Sequence, residues 1–332
     1  MKIYIKEIAE GTFNAGFKAR ADVDDFLEKK GFSPLTITIF GPSTSAIAKK
    51  VRRLTETVSL RKSLAGNGEL FLQYPLYTYR GKSRLLSFLL GRHKGPMTIL
   101  VHDIPGYRSG GAIDAELRML LQRKPTVIAH TPAMAARIEA DAGCAPGTVK
   151  VLNLFDYLTS DPAGEPTPEG RAVIFAGNLK ECGFLRRLDE IKGLKFNIYG
   201  IRSEHVRESD TCRYCGKFSP EEVSKIKGDW GLVWHGPDLE TSAGNIGEYL
   251  RIIASHKISL YLAAGKPVIL WDESSVAQYI LDNHLGIAVK SMLDIPAALD
   301  ALTPEQIELI KTSVKNFSSK LRRSEMLGSI IK

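Results

Sequence analysis

No stretch of this 332-residue chain is apolar for long enough to cross a bilayer, and the opening MKIYIKEIAEG carries charges where a signal peptide needs its hydrophobic region. A cytoplasmic protein is therefore expected, with the inner face of the membrane as its nearest surface. Cysteine is scarce: Cys144, Cys182, Cys212 and Cys215 are too few for a disulfide framework in a chain of this size. Cys212 and Cys215 stand as CRYCG, but no second CxxC or HxxxH supplies the remaining ligands of a structural zinc site, and no metal is expected. GxGxxG, internal repeats and low-complexity tracts are missing too. So are helix-turn-helix, RNP and zinc-finger patterns, which weighs against nucleic acid as a partner despite a net charge of +8.

What is present is an ordinary globular composition, 44% hydrophobic and 25% charged, in a length that suits two domains. The positive charge is uneven. Residues 1–155 carry 23 Lys and Arg against 13 Asp and Glu, while the remainder carry 22 against 24. Lys49, Lys50, Arg52, Arg53, Arg61 and Lys62, followed by Arg80, Lys82, Arg84, Arg92 and Lys94, supply much of the excess. They read either as a solvated helix face or as an attraction to an anionic leaflet or phosphorylated lipid carrier, that is, peripheral membrane association.

Apolar runs alternate with helical segments from end to end. KIYIKEI, LTITIF, ELFLQYP, TILVHDI, TVIAHT and VKVLNLF form one series; AVIFAG, KFNIYG, GLVW, PVILW and GIAVKS form a second. The pattern predicts an α/β fold of two parallel doubly wound sheets. The segment containing TSDPAGEPTPEGR, rich in Pro and Gly, reads as a linker over 158–170 between a domain at 1–157 and one at 171–332.

In open parallel sheets ligands collect at the carboxyl ends of strands, so residues just after each apolar run are candidates. In the second domain these are Asn178 and Lys180, Tyr199, His235 with Gly236, and the polar run ending at Lys257. In GKFSPEE, backbone groups of Lys217, Phe218 and Ser219 are placed to read a uracil edge. Ser255 can cap the next helix, whose first turn holds His256 and Lys257. Cations at an already positive helix start indicate an anion there, and a diphosphate fits. The Lys257 charge can stabilise a departing nucleoside diphosphate without metal. In the first domain the short loop TFNAGFK, with Asn14, Ala15, Gly16 and Lys18, lets backbone NH groups approach a sugar or phosphate, or is simply a tight turn. His102 and Asp103 follow TILV directly. Asp103 is the first candidate for the base that takes an acceptor hydroxyl proton and His102 the second; the alternative is that Asp103 caps the IPGYRSGG turn.

SHKISLYLAAGKPVI, with GLVW upstream, LDNHLGIAVKS downstream, the opening MKIYI, ILVHDI and the AGN turn at Asn178, resembles the bacterial glucosyltransferase family that adds the second sugar to serine-rich streptococcal adhesins, together with its galactofuranosyltransferase-like relatives. The resemblance runs the length of the chain. It implies the GT-B architecture, two Rossmann-like domains facing an interdomain cleft, with UDP-sugar as substrate and no metal or other cofactor. It also implies nucleotide contacts at Phe218, Ser219 and Glu222, and at Ser255, His256, Lys257, Ile258, Ser259 and Leu260, with a donor or acceptor contact near Asn14 to Gly16. There the chain has Asn-Ala-Gly where the glucosyltransferase has small hydroxyl residues, which leaves the sugar open. The expected function is inverting transfer of a glucosyl or galactofuranosyl group from UDP to a glycan, glycoprotein or lipid-linked acceptor, with a second copy of the chain as a further partner. The alternative is a noncatalytic sugar-nucleotide-binding subunit of a partner transferase, which would keep the Lys257 region and not need Asp103.

Overall fold

The computed structural model describes residues 1–9, 15–41, 44–242 and 244–331 and divides into two α/β units. One comprises 1–130 and 134–151, the other 131–133 and 152–332. In the first unit β1 (Lys2–Ala9), β2 (Ser33–Ile39), β3 (Glu69–Tyr74), β4 (Met97–Val101), β5 (Thr126–Ala129) and β6 (Lys150–Val151) form one parallel sheet in the order β2-β1-β3-β4-β5-β6. A parallel sheet covered on both faces needs continuous apolar strands, and Ile3 to Ile5, Leu70 to Leu72 and Ile99 to Val101 are all buried. The helices Ala15–Lys29, Ala46–Ser63 and Ser83–Leu90 connect the strands on the β2 to β4 side. The last of these was not legible as a helix, because Leu85, Leu86, Phe88, Leu89 and Leu90 read equally well as any short apolar run.

The second unit holds β7 (Ala172–Gly177), β8 (Lys195–Gly200), β9 (Cys212–Gly216), β10 (Trp230–Val233), β11 (Val268–Trp271) and β12 (Gly286–Val289), again all parallel, in the order β12-β11-β10-β7-β8-β9. The chain reverses its direction of travel across the sheet between β7 and β10, so their carboxyl ends border the crevice where a ligand fits. Trp230, Trp234, Phe175, Phe184 and Tyr261 fill the core of this unit.

CRYCG is the edge strand β9, with Cys212 buried and Arg213 exposed, and both of its cysteines are free thiols. Between Pro220 and Lys227 the chain makes only a 3₁₀ turn, Val223–Lys225, and no α-helix. The Tyr199 hydroxyl explains this: it accepts from Lys227 N at 2.9 Å and donates to the Lys225 carbonyl at 3.3 Å, satisfying backbone groups that a helix would otherwise pair. The segment read as a linker lies along the second unit, with Thr159 Oγ1 donating to the Glu221 carbonyl at 2.7 Å and Trp230 Nε1 to the Pro168 carbonyl at 3.3 Å. Among the described residues no helix is long and apolar enough to cross a membrane.

Candidate functional site

At the crevice between β7 and β10 the chain brings together Gly177, His235 and Lys257. Lys257 lies in the first turn of helix His256–Ala263, which ends at Gly265 with φ +75°, a left-handed backbone that favours glycine. The helix is fixed to the sheet where Tyr261 Oη accepts from Ala176 N at 2.8 Å. Its ring packs against Gly231, where a Cβ would come within 2.1 Å of Tyr261 Cγ. Lys257 is half-buried, and its Nζ lies 3.0 Å from His235 Nε2 and 5.1 Å from the centroid of the Phe175 ring. An ammonium only donates, so His235 accepts through Nε2 and carries its proton on Nδ1. Burial lowers the pKa of Lys257 from the usual lysine value, with Cys182 and Glu181 pulling it back up. His235 is itself held by the Ser242 hydroxyl, which accepts from His235 N at 3.2 Å and donates to His235 O at 2.9 Å. Gly177 is needed for close approach: a Cβ there would lie 2.6 Å from Lys257 Cε.

The neighbouring candidates divide by side chain. Asn178 follows β7, is exposed, and accepts from Lys180 N at 3.3 Å; Lys180 is exposed beside it. Ser255 occupies the N-cap position, but its side chain makes no capping bond, which corrects the expected cap; its carbonyl accepts from Ile258 N at 3.0 Å. His256 stacks on Tyr157 with centroids 5.2 Å apart and meets Phe155 edge-on at 6.2 Å. Ile258 and Leu260 are core residues, and Ser259 Oγ, also buried, donates to the Phe155 carbonyl at 2.7 Å. One residue that the strand-end rule selects was missed: Asp272 directly follows β11, and its Oδ1 is buried without a hydrogen-bond partner among the described residues.

Farther along the same sheet, a cleft of about 340 Å³ is lined by Asn197, Tyr199, Arg213, Cys215, Lys217, Phe218, Lys225 and Lys227. Tyr199 and Phe218 meet edge to face at 5.7 Å. The GKFSPEE turn closes on itself, since Ser219 N donates to Glu222 Oε2 at 3.4 Å and Glu222 pairs with Lys225 at 2.7 Å. Two aromatic rings beside four cations suit a base attached to phosphates. No group of three or more His, Cys, Asp or Glu among the described residues is arranged to hold a metal ion.

In the first unit, Asn14 lies outside the described residues, while Ala15 and Gly16 open helix Ala15–Lys29. Lys18 is buried in an ion pair with Asp22 at 2.5 Å. Asp103 faces Arg108 at 3.4 Å, and the short helix Pro105–Arg108 has no side-chain cap. His102 Nε2 lies 2.7 Å from Gln73 Oε1, and Gln73 Nε2 lies 2.6 Å from Asp24 Oδ1. Burial pushes the Asp24 carboxyl up to about 7, against the pull of Lys6 and Arg20. Gln73 and Asp24 were missed by sequence reasoning; the signal was a polar residue inside the apolar strand ELFLQY.

Comparisons with known proteins bear on both units. Residues 2–152 match the N-terminal domain, and residues 173–332 the C-terminal domain, of the family described as glucosyltransferase 3-like. Beta-1,6-galactofuranosyltransferase WbbI of Escherichia coli (strain K12) is 30% identical over 329 residues, covering 96% of this chain and 93% of that protein. Glucosyltransferase 3 of Streptococcus gordonii is 25% identical over 313 residues, covering 92% and 89%. Among solved structures, a Listeria monocytogenes protein assigned as a UDP-N-acetylglucosamine 2-epimerase superposes with a TM-score of 0.52 at 11% identity, covering 97% of this chain and 96% of that one, a likeness of fold alone.

Proposed function

Since the chain belongs to the glucosyltransferase 3-like family of glycosyltransferases, with the GT-B fold, we propose that it transfers a galactofuranosyl group from UDP to a cell-surface glycan or its lipid-linked precursor, with inversion and without metal. The observation that carries the donor half is the Lys257 ammonium beside His235, held above the start of helix His256–Ala263 at the crevice of the second sheet. A diphosphate there receives the helix-start NH groups and a charge-assisted contact from Lys257, and the same charge stabilises the UDP that leaves. The aromatic and basic cleft around Tyr199 and Phe218 is assigned to the base, and Asp272 to a sugar or ribose hydroxyl, which would satisfy its buried oxygen.

The first unit is assigned to the acceptor. Asp103 is engaged with Arg108 and His102 is oriented by Gln73, so the order of base candidates is reversed here: His102 takes the hydroxyl proton and Asp103 positions the acceptor. Galactofuranose is preferred to glucose because the more similar of the two named relatives is a galactofuranosyltransferase. The test is acceptor-dependent UDP release with UDP-galactofuranose and UDP-glucose offered in parallel. Release from the galactofuranosyl donor alone supports the reading; release from UDP-glucose alone makes the protein a glucosyltransferase, and consumption of neither overturns the donor assignment.

A further inference from the structure

Helix Ala46–Ser63 rests on its unit by a narrow strip. Of its residues only Thr57 and Leu60 are buried, while Ile47, Val51, Leu54 and Val58 are 79%, 59%, 65% and 50% exposed. At about 3.6 residues per turn these four fall within an arc of about 60°, turned well away from Thr57 and Leu60. Single exposed apolar side chains are unremarkable, but four in one stripe along about 17 Å of helix form a surface that water does not favour. Phe88, 45% exposed on helix Ser83–Leu90, extends it, with the Arg61 guanidinium 3.8 Å from its ring centroid.

The charge around the stripe selects its occupant. Lys50 and Lys62 border it on either side, and Arg61 stands at the Lys50 edge. The one acid of the helix, Glu56, is half-buried and paired with Arg53 at 2.9 Å. A second copy docking stripe to stripe would set Lys50 and Lys62 at the flanking positions with no acid opposite them in either orientation. An anionic lipid surface satisfies both halves of the pattern, apolar side chains at the acyl boundary and cations among the headgroups. We propose that helix Ala46–Ser63 lies in the interface of an anionic membrane leaflet, inserting Ile47, Val51, Leu54 and Val58. This does not depend on which sugar is transferred.

The test uses the full chain floated with vesicles of phosphatidylcholine alone and of phosphatidylcholine with phosphatidylglycerol. Wild type is expected to float with the anionic vesicles only, and less so at high salt. Val51→Ser/Leu54→Ser should lower the partition by about tenfold or more, and Lys50→Gln/Lys62→Gln by about 10- to 30-fold. All four side chains are exposed or border the exposed stripe, so thermal melts should match wild type. Absence of wild-type binding to anionic vesicles overturns the proposal, as does binding that both double variants retain in full. A dimer in sedimentation velocity that Val51→Ser/Leu54→Ser dissociates, without vesicle binding, would assign the stripe to a second copy instead.

Discussion

Gln73 accepts a hydrogen bond from His102, and the far end of the amide dictates that direction. Gln73 Nε2 donates to the Arg20 carbonyl at 3.3 Å, a group that can only accept, and to the Asp24 carboxyl at 2.6 Å, so Oε1 faces His102 Nε2 at 2.7 Å. His102 therefore carries its proton on Nε2 when neutral and keeps the lone pair on Nδ1, the atom able to accept an acceptor hydroxyl proton.

From this follows the sharpest test of the acceptor half. His102→Ala is expected to lower turnover about 10²- to 10⁴-fold while UDP affinity stays near wild type. Asp103→Asn, which keeps shape and loses charge, should raise KM for the acceptor more than it lowers kcat. Steady-state kinetics with UDP titrations on both variants decide it; a wild-type kcat in His102→Ala with a lost kcat in Asp103→Asn returns the base role to Asp103.

Lys257→Ala should weaken UDP binding by roughly 10- to 150-fold, the equivalent of about 1.5 to 3 kcal/mol for a charge-assisted phosphate contact. Calorimetry should give the same wild-type affinity with and without EDTA. Unchanged affinity in a folded Lys257→Ala variant would put the phosphates elsewhere, and loss of binding on chelation would overturn the metal-free reading.

Lys257 also predicts a pH dependence. Its folded pKa lies below the usual 10.5, so between the two values the unfolded chain holds a proton the folded one lacks, and this group's contribution to stability rises with pH there. A bound diphosphate favours the ammonium and reverses the shift. Above about pH 7, where phosphate's own second proton is largely gone, UDP should take up a fraction of a proton on binding and lose affinity as pH climbs. Calorimetry in two buffers of different ionisation heat measures the uptake; flat affinity with no uptake from neutral to alkaline pH would contradict it.

Gly177→Ala should weaken UDP binding by about tenfold and cost about 1 kcal/mol of stability, because the new Cβ, at φ +155°, would meet Lys257 Cε at 2.6 Å and displace the ammonium. In a double-variant cycle with Lys257→Ala the binding losses should fail to add. Additive losses would mean that Gly177 acts by some route other than Lys257.

Much of this was readable in the chain because parallel strands buried on both faces must be apolar throughout: AVIFAG, PVILW and TILV stand out, and Lys257 could be picked by its place in a helix start. β9 was not, since an edge strand with one open side tolerates Arg213 and presents no apolar run. The 3₁₀ turn at Val223–Lys225 depends on a hydroxyl from Tyr199, some two dozen residues earlier, and no local signal carries it. Likewise the Asp24, Gln73 and His102 chain exists only once helix Ala15–Lys29, β3 and the end of β4 are packed together. Asp272 was within reach of the rule that found His235, and only its application to PVILW was lacking.

The carbonyl of Ala263, at the far end of the Lys257 helix, receives Ser318 Oγ and Arg322 Nε, each at 3.0 Å, from helix Pro304–Arg322. With Tyr261 tied to β7 and Ser259 to Phe155, the short helix is a beam supported along its length, and the lysine it presents is aimed before any ligand arrives. Helix Pro304–Arg322 thus supports the lysine from behind, and if a phosphate sits there as proposed, a change at Ser318 or Arg322 should be felt at it as a loss of aim.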